Sequence, residues 1–181
     1  LDNKRVRNAS TAPMACEDFW QDQARLCFRL VSGQRREWVT TAHLQEWNVD
    51  LPTLKSVVSQ RAVAHAGQQL KRVPIGGMRQ TYFAATNEDG WASAVLLSPE
   101  SLQRIGAQNV LVAVPAHGVV LAWQGGHPEV DKILAVGVRE IYEKRAGAVS
   151  PVIYRWTGTA FVAFGEAKST ETPVQKKTLS E

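Results

Sequence analysis

Gly125, Gly126, His127 and Pro128 set a glycine pair and an imidazole at a point where a proline can open a helix. Backbone amides at a helix N-terminus attract anions, because they are unpaired and carry the positive end of the helix dipole. The stretch has neither the lysine of a Walker loop nor the glycine spacing of a dinucleotide site. A plain flexible connection is the expectation, with contact to an anion at exposed amides as the alternative. Arg104, together with Arg72 and Arg79, offers planar guanidinium forks that fit carboxylate or phosphate. The sequence alone does not bring these three together, and solvated arginines are the expectation. The ligand-binding set read from the chain is Gly125, Gly126, His127 and Arg104. Gly76 and Gly77 lead toward a strand rather than a helix and offer no such cradle.

Covalent and metal chemistry has less to stand on. His43, His65, His117 and His127 are scattered without a His-Glu-x-x-His spacing, and neither Cys16 nor Cys27 has a Cys or His neighbour at zinc-ligand spacing. His65 is expected in a long helix near its apolar face, and His117 in a hairpin turn. No Gly-x-Ser-x-Gly occurs, and Ser98, directly before Pro99, is most simply a helix cap. No catalytic residue, metal ligand or cofactor is assigned.

The bulk composition bounds the rest. A chain of 181 residues with 44% hydrophobic and 21% charged residues is long enough for one globular domain with a real core. The net charge of +4 is spread along the chain instead of forming the basic stripe of a nucleic-acid binder. No run approaches the roughly 18–20 apolar residues of a membrane helix. The chain begins at Leu1, so a removed signal or an upstream domain would lie outside it. On one continuous helix, Cys16 and Cys27 would be separated by about 16 Å of rise, beyond the roughly 7 Å between alpha carbons that a disulfide allows. Reduced thiols in the cytoplasm are the expectation. The alternative is an exported protein, its signal peptide removed and Cys16–Cys27 oxidised.

The elements that would position these residues follow from periodicity and punctuation. Residues 1–15, polar and basic, are expected as a flexible arm, 16–166 as a single α+β domain, and 167–181 as a disordered tail. Glu17 to Val31 follows a helical pattern, with Gly33 as its stop. A short strand is expected over Glu37–Thr41, a helical turn over His43–Trp47, and a helix from Leu51 to about Gln69 capped by Asp50. Arg79 to Ala85 reads as a strand. Asn87–Gly90 reads as a turn into an apolar strand ending at Leu97, and Ser98 opens a short helix that Gly106 closes. Val110 to Trp123 reads as two strands folded on a turn at Pro115–Gly118. Pro128 starts a helix to about Arg145, with Val130, Ile133, Leu134, Gly137, Val138, Ile141 and Tyr142 on one stripe. Arg139–Glu143 and Glu140–Lys144 stand at i,i+4 on its outer surface. Val152 to Phe164 closes the fold as a hairpin. Strands joined by short turns, with helices between groups of strands, predict an α+β fold with a mainly antiparallel sheet and two or three helices packed on it. Trp91, Trp123, Tyr154 and Trp156 are expected at the seams.

The order of elements from Glu37 to Phe164 resembles the C-terminal part of the YtpQ family, uncharacterised bacterial proteins carried as a domain of unknown function. Val39 to Trp47 with the following helix, Asn87 to Ala94, Ala113 to Leu121 around Pro115, and Ser150 to Trp156 carry the resemblance. Gly118 stands where the family commonly has an acidic residue, and His65 where an asparagine is usual. The resemblance implies a fold and no catalytic residue.

The functional expectation is a non-enzymatic protein-interaction module, adaptor- or inhibitor-like, with a protein partner and no specific nucleic acid. Six tryptophans supply possible aromatic anchors, and Trp123 and His117 are the interaction residues read from the chain. The alternative is a domain binding a small anionic ligand or nucleotide through Gln124–His127 and nearby arginines.

Overall fold

A computed structural model describes residues 12–19, 25–33, 35–86, 91–97, 99–106 and 108–166, and for 62–69, 91 and 99 the backbone only. Residues 1–11, the tail 167–181, the Asn87–Gly90 turn, the Ser98 cap and the side chains of His65 and Trp91 lie outside that description.

The centre is a six-stranded antiparallel sheet built from β5 (Lys71–Pro74), β6 (Thr81–Thr86), β7 (Val110–Ala116), β8 (Val119–Gln124), β9 (Val152–Trp156) and β10 (Phe161–Glu166). Its order is β10-β9-β7-β8-β6-β5. The apolar runs in β7 and β8 have no polar alternation because both faces of the sheet are covered. Val110, Val112, Val120, Ala122, Tyr154 and Trp156 face one core, with Val95 and Leu102. Leu111, Ala113, Leu121, Trp123 and Ile153 face the other, with Val130, Leu134 and Val138.

Helix α4 (Pro128–Lys144) covers the second face. Pro128 fills its first turn, Glu129 and Asp131 complement the positive end of the dipole, and Lys144 the negative end. Its buried Val130, Leu134 and Val138 are each worth about 1.5–3 kcal/mol of apolar burial. Ile133, expected on the buried stripe, is instead 45% exposed, because the contact with the sheet is narrower than the apolar stripe. The i,i+4 pairs Arg139–Glu143 and Glu140–Lys144 form at 2.5 and 3.7 Å.

The first face is covered by a 3-10 helix (Trp91–Leu97), α3 (Pro99–Gln103) and α2 (Leu51–Gln69). The 3-10 helix corrects the expected strand ending at Leu97. Its short apolar run reads equally as a buried strand or a buried helix, and Ala92, Val95 and Leu96 turn inward at near-helical spacing. The β7–β8 reversal falls at His117 and Gly118, where Gly118 takes φ 71°, instead of spanning Pro115–Gly118. Pro115 lies inside β7, where the register shifts between Ala113 and Ala116. A bulge is where a sheet interior tolerates a proline.

The N-terminal region departs most from expectation. Glu17–Val31 is no helix: β1 (Cys16–Asp18) pairs with β2 (Arg25–Cys27), and β3 (Arg29–Ser32) pairs with β4 (Arg35–Trp38). Cys16 and Cys27 are directly opposite in the first ladder, 4.3 Å apart at their alpha carbons, and are disulfide-bonded. The expectation of reduced thiols is corrected with the helix on which it rested, since strands pair residues that a helix would hold apart. Thr41, assigned to a strand from the sequence, opens α1 (Thr41–Trp47), where the Thr40 amide donates to His43 Nδ1 at 3.0 Å. Asp50 Oδ1 accepts from the Thr53 amide at 2.8 Å, capping α2 as expected. Met14 bridges to Thr40, and the buried Ala15 donates to the Val39 carbonyl. No described helix is long and apolar enough to cross a membrane.

Candidate functional site

At the end of the sheet where β8 stops, three stretches distant in sequence come together: 72–83, 104–105 and 124–130. The β5–β6 hairpin places Arg72 opposite Phe83, so both point to the α3 side, and Arg72 Nε donates to Thr81 Oγ1 at 2.9 Å. Its turn, closed by the Met78 amide on the Ile75 carbonyl, carries Arg79 and Gln80. Arg104 and Ile105 follow the last turn of α3, and the Ile105 amide bonds the Leu102 carbonyl at 3.0 Å. Gln124 ends β8, and its Nε2 donates to the Gln108 carbonyl at 2.8 Å, tying the α3–β7 loop to the strand. His127 precedes α4 in extended backbone.

Together Arg72, Arg79, Gln80, Thr81, Phe83, Arg104, Ile105, Gln124, His127 and Val130 line a cleft of about 300 Å³. No carboxylate is among them. Among the described residues, no Asp or Glu forms an ion pair with Arg72, Arg79 or Arg104. Three guanidinium groups facing one cavity repel each other unless an anion sits between them, although solvent screening weakens the repulsion at exposed side chains. Guanidinium forks can grip carboxylate or phosphate oxygens two at a time. The one lining hydroxyl, on Thr81, already accepts from Arg72, and no lining residue is an acid or a cysteine. Cationic forks and polar side chains together suit this cleft to hold an anion.

The residues read from the sequence separate in the structure. Arg104 and His127 line the cleft, joined there by Arg72 and Arg79. Gly125 and Gly126 serve the backbone. The Gly125 amide donates to the Asn109 carbonyl at 2.9 Å, and the Gly126 amide to Asp131 Oδ2 at 3.1 Å. The anion at this loop is thus the protein's own carboxylate, and an external ligand does not find those amides free. Gly125 is glycine for packing: a Cβ there would come within 2.8 Å of Leu111 Cγ and 3.1 Å of the Asn109 carbonyl. Trp123 is fully buried beneath α4, with Nε1 donating to Asp131 Oδ1 at 2.9 Å, so it presents no surface to a partner. His117 is exposed at the opposite end of β8, its amide bonded to the Gly147 carbonyl.

Sequence reasoning missed Gln80, Thr81 and Phe83, and named Gln124 only as one bound of the Gln124–His127 loop. Their membership depends on β5–β6–β8 register, and β5 itself gives no apolar signal because it is a basic edge strand. Among the described residues no group of three or more His, Cys, Asp or Glu is placed to hold a metal ion. The chain matches no family model, no curated protein and no solved structure.

Proposed function

We propose that this protein is a binding module for a small anionic ligand, held by Arg72, Arg79, Arg104 and His127 without turnover. The observation that carries this reading is the meeting of three arginines, unpaired by any described carboxylate, in one cleft. The ligand class is phosphate- or carboxylate-bearing and includes nucleotides. The Cys16–Cys27 disulfide supports an oxidising compartment for the protein. Kinship with the YtpQ family is proposed on the ordered segments alone and assigns no activity.

Titration calorimetry with pyrophosphate, a nucleoside triphosphate and citrate tests the reading. At least one is expected to bind, more weakly as salt rises. Arg79→Ala and Arg104→Ala should each weaken it by about ten- to a hundredfold, the range for a charge-assisted hydrogen bond. No heat with any of the three anions overturns the proposal.

A second reading, the protein-interaction module, draws on the β3–β4 hairpin, where Leu30, Val31 and Trp38 are exposed on a two-stranded ribbon. Under that reading Trp38→Ser abolishes association with a partner while Arg104→Ala leaves it intact.

A further inference from the structure

The arginine cleft does not end at its charged residues. Met78 and Glu129, the chain neighbours of its Arg79 and Val130, line a second depression of about 430 Å³, together with Lys132, Ile133 and Val136. Glu129, Lys132, Ile133 and Val136 recur at the spacing of one face of α4, and Met78 faces them from the β5–β6 turn. Ile133 is 45% exposed there, although α4 has its buried anchors in Val130, Leu134 and Val138. Met78, Ile133 and Val136 are apolar, and Glu129 and Lys132 add one charge of each sign. An apolar groove thus opens beside a cationic cleft, sharing two backbone borders with it.

We infer that the ligand is an amphiphilic anion: a single-chain phosphate ester whose head lies among Arg72, Arg79 and Arg104 and whose hydrocarbon chain lies along Met78, Ile133 and Val136. This rests on the anion reading of the cleft. Charge complementarity fixes the head at the arginines, and the adjacency of Met78 to Arg79 and of Glu129 to Val130 sets the direction of the chain. A single groove fits a single chain. A bare inorganic anion leaves the apolar lining at Met78, Ile133 and Val136 uncovered, whereas an acyl or alkyl chain covers it.

The test is calorimetry with inorganic phosphate, methyl phosphate and monomeric hexyl phosphate on the wild type, Ile133→Ser and Arg104→Ala. Burying about half of the added methylenes predicts roughly 30-fold tighter binding of hexyl than methyl phosphate. Ile133→Ser should remove most of that gain and leave methyl phosphate binding unchanged. Arg104→Ala should weaken both esters by a similar factor. Methyl and hexyl phosphate binding equally, with Arg104→Ala still weakening both, overturns the amphiphile and leaves the anion site standing. No binding of any of the three phosphates, while pyrophosphate, the triphosphate and citrate also fail, removes the cleft reading itself. A chain-length gain that survives both Ile133→Ser and Val136→Ser places the hydrocarbon elsewhere and overturns the inference as well.

Discussion

The carboxylate of Asp131 accepts from two donors at once, the indole of fully buried Trp123 at 2.9 Å and the amide of Gly126 at 3.1 Å. One side chain thereby fixes the β8–α4 connection and satisfies a donor on a fully buried ring. Asp131→Ala leaves the indole N–H unpaired, which costs about 1–3 kcal/mol for a buried group. Urea unfolding of the variant is the measurement, and Asp131→Asn, which keeps one acceptor oxygen, should recover part of the loss. An Asp131→Ala protein as stable as the wild type would mean that Trp123 finds another acceptor. The same carboxylate explains why the glycine pair misleads as an anion cradle. The sequence shows that Gly125 and Gly126 precede a helix, and it does not show that a residue in the first turn of that helix reaches back to take the amide.

Helix α2 illustrates how much of an element local chemistry can carry. Hydrogen bonds from Thr53, the hydroxyl first and the amide second, hold the Asp50 carboxyl below the ordinary aspartate value of 3.8. A carboxyl whose folded value is depressed stabilises the native state above its unfolded value, and the contribution is lost as pH falls through the folded one. At neutral pH the wild type should therefore melt above Asp50→Asn, and the gap should close below pH 3.8. Thermal unfolding followed by circular dichroism reads this, and a gap that stays constant into strong acid would contradict it. Asp50, Pro128 and the α4 stripe were legible because their signals are local. Two elements were not. Phe19, Leu26, Cys27 and Leu30 have a helical spacing, yet pairing across Cys16–Cys27 puts Leu26 and Cys27 in β2 and Leu30 in β3. Trp91 to Leu97 lacks any polar residue except Ser93, so nothing in the run separates strand from helix. The cleft was legible as a list of arginines, while their convergence depends on strand register.

At the scale of the molecule, the two larger cores share a wall. Alternate residues of β7, β8 and β9 enter one or the other, so loosening either face loosens the sheet. The third cluster, Ala15, Phe28 and Val39 with Leu26, Leu44, Leu51, Leu54 and Val58, has no residue in common with them. It reaches the rest through α2, through the Glu17–Lys55 ion pair and through Phe19, whose ring lies 5.8 Å from that of Phe161. Three buried residues and two-stranded ribbons make a weak unit by themselves. Closing the loop between Cys16 and Cys27, eleven residues apart, contributes about 3 kcal/mol in the chain-entropy account, a large share of such a unit's stability. Reduction should therefore act locally. Hydrogen exchange at the amides of Ala15 and Val39, which bond Val39 and Phe28 carbonyls at 2.8 and 2.9 Å, should accelerate by about a hundredfold, while the β7 and β8 amides keep their protection. Anion affinity should stay unchanged, since every residue lining the cleft lies between Arg72 and Val130, outside the N-terminal cluster. Acceleration spread equally into β7 and β8 would show instead that the small cluster and the sheet unfold as one body, with the disulfide stabilising both.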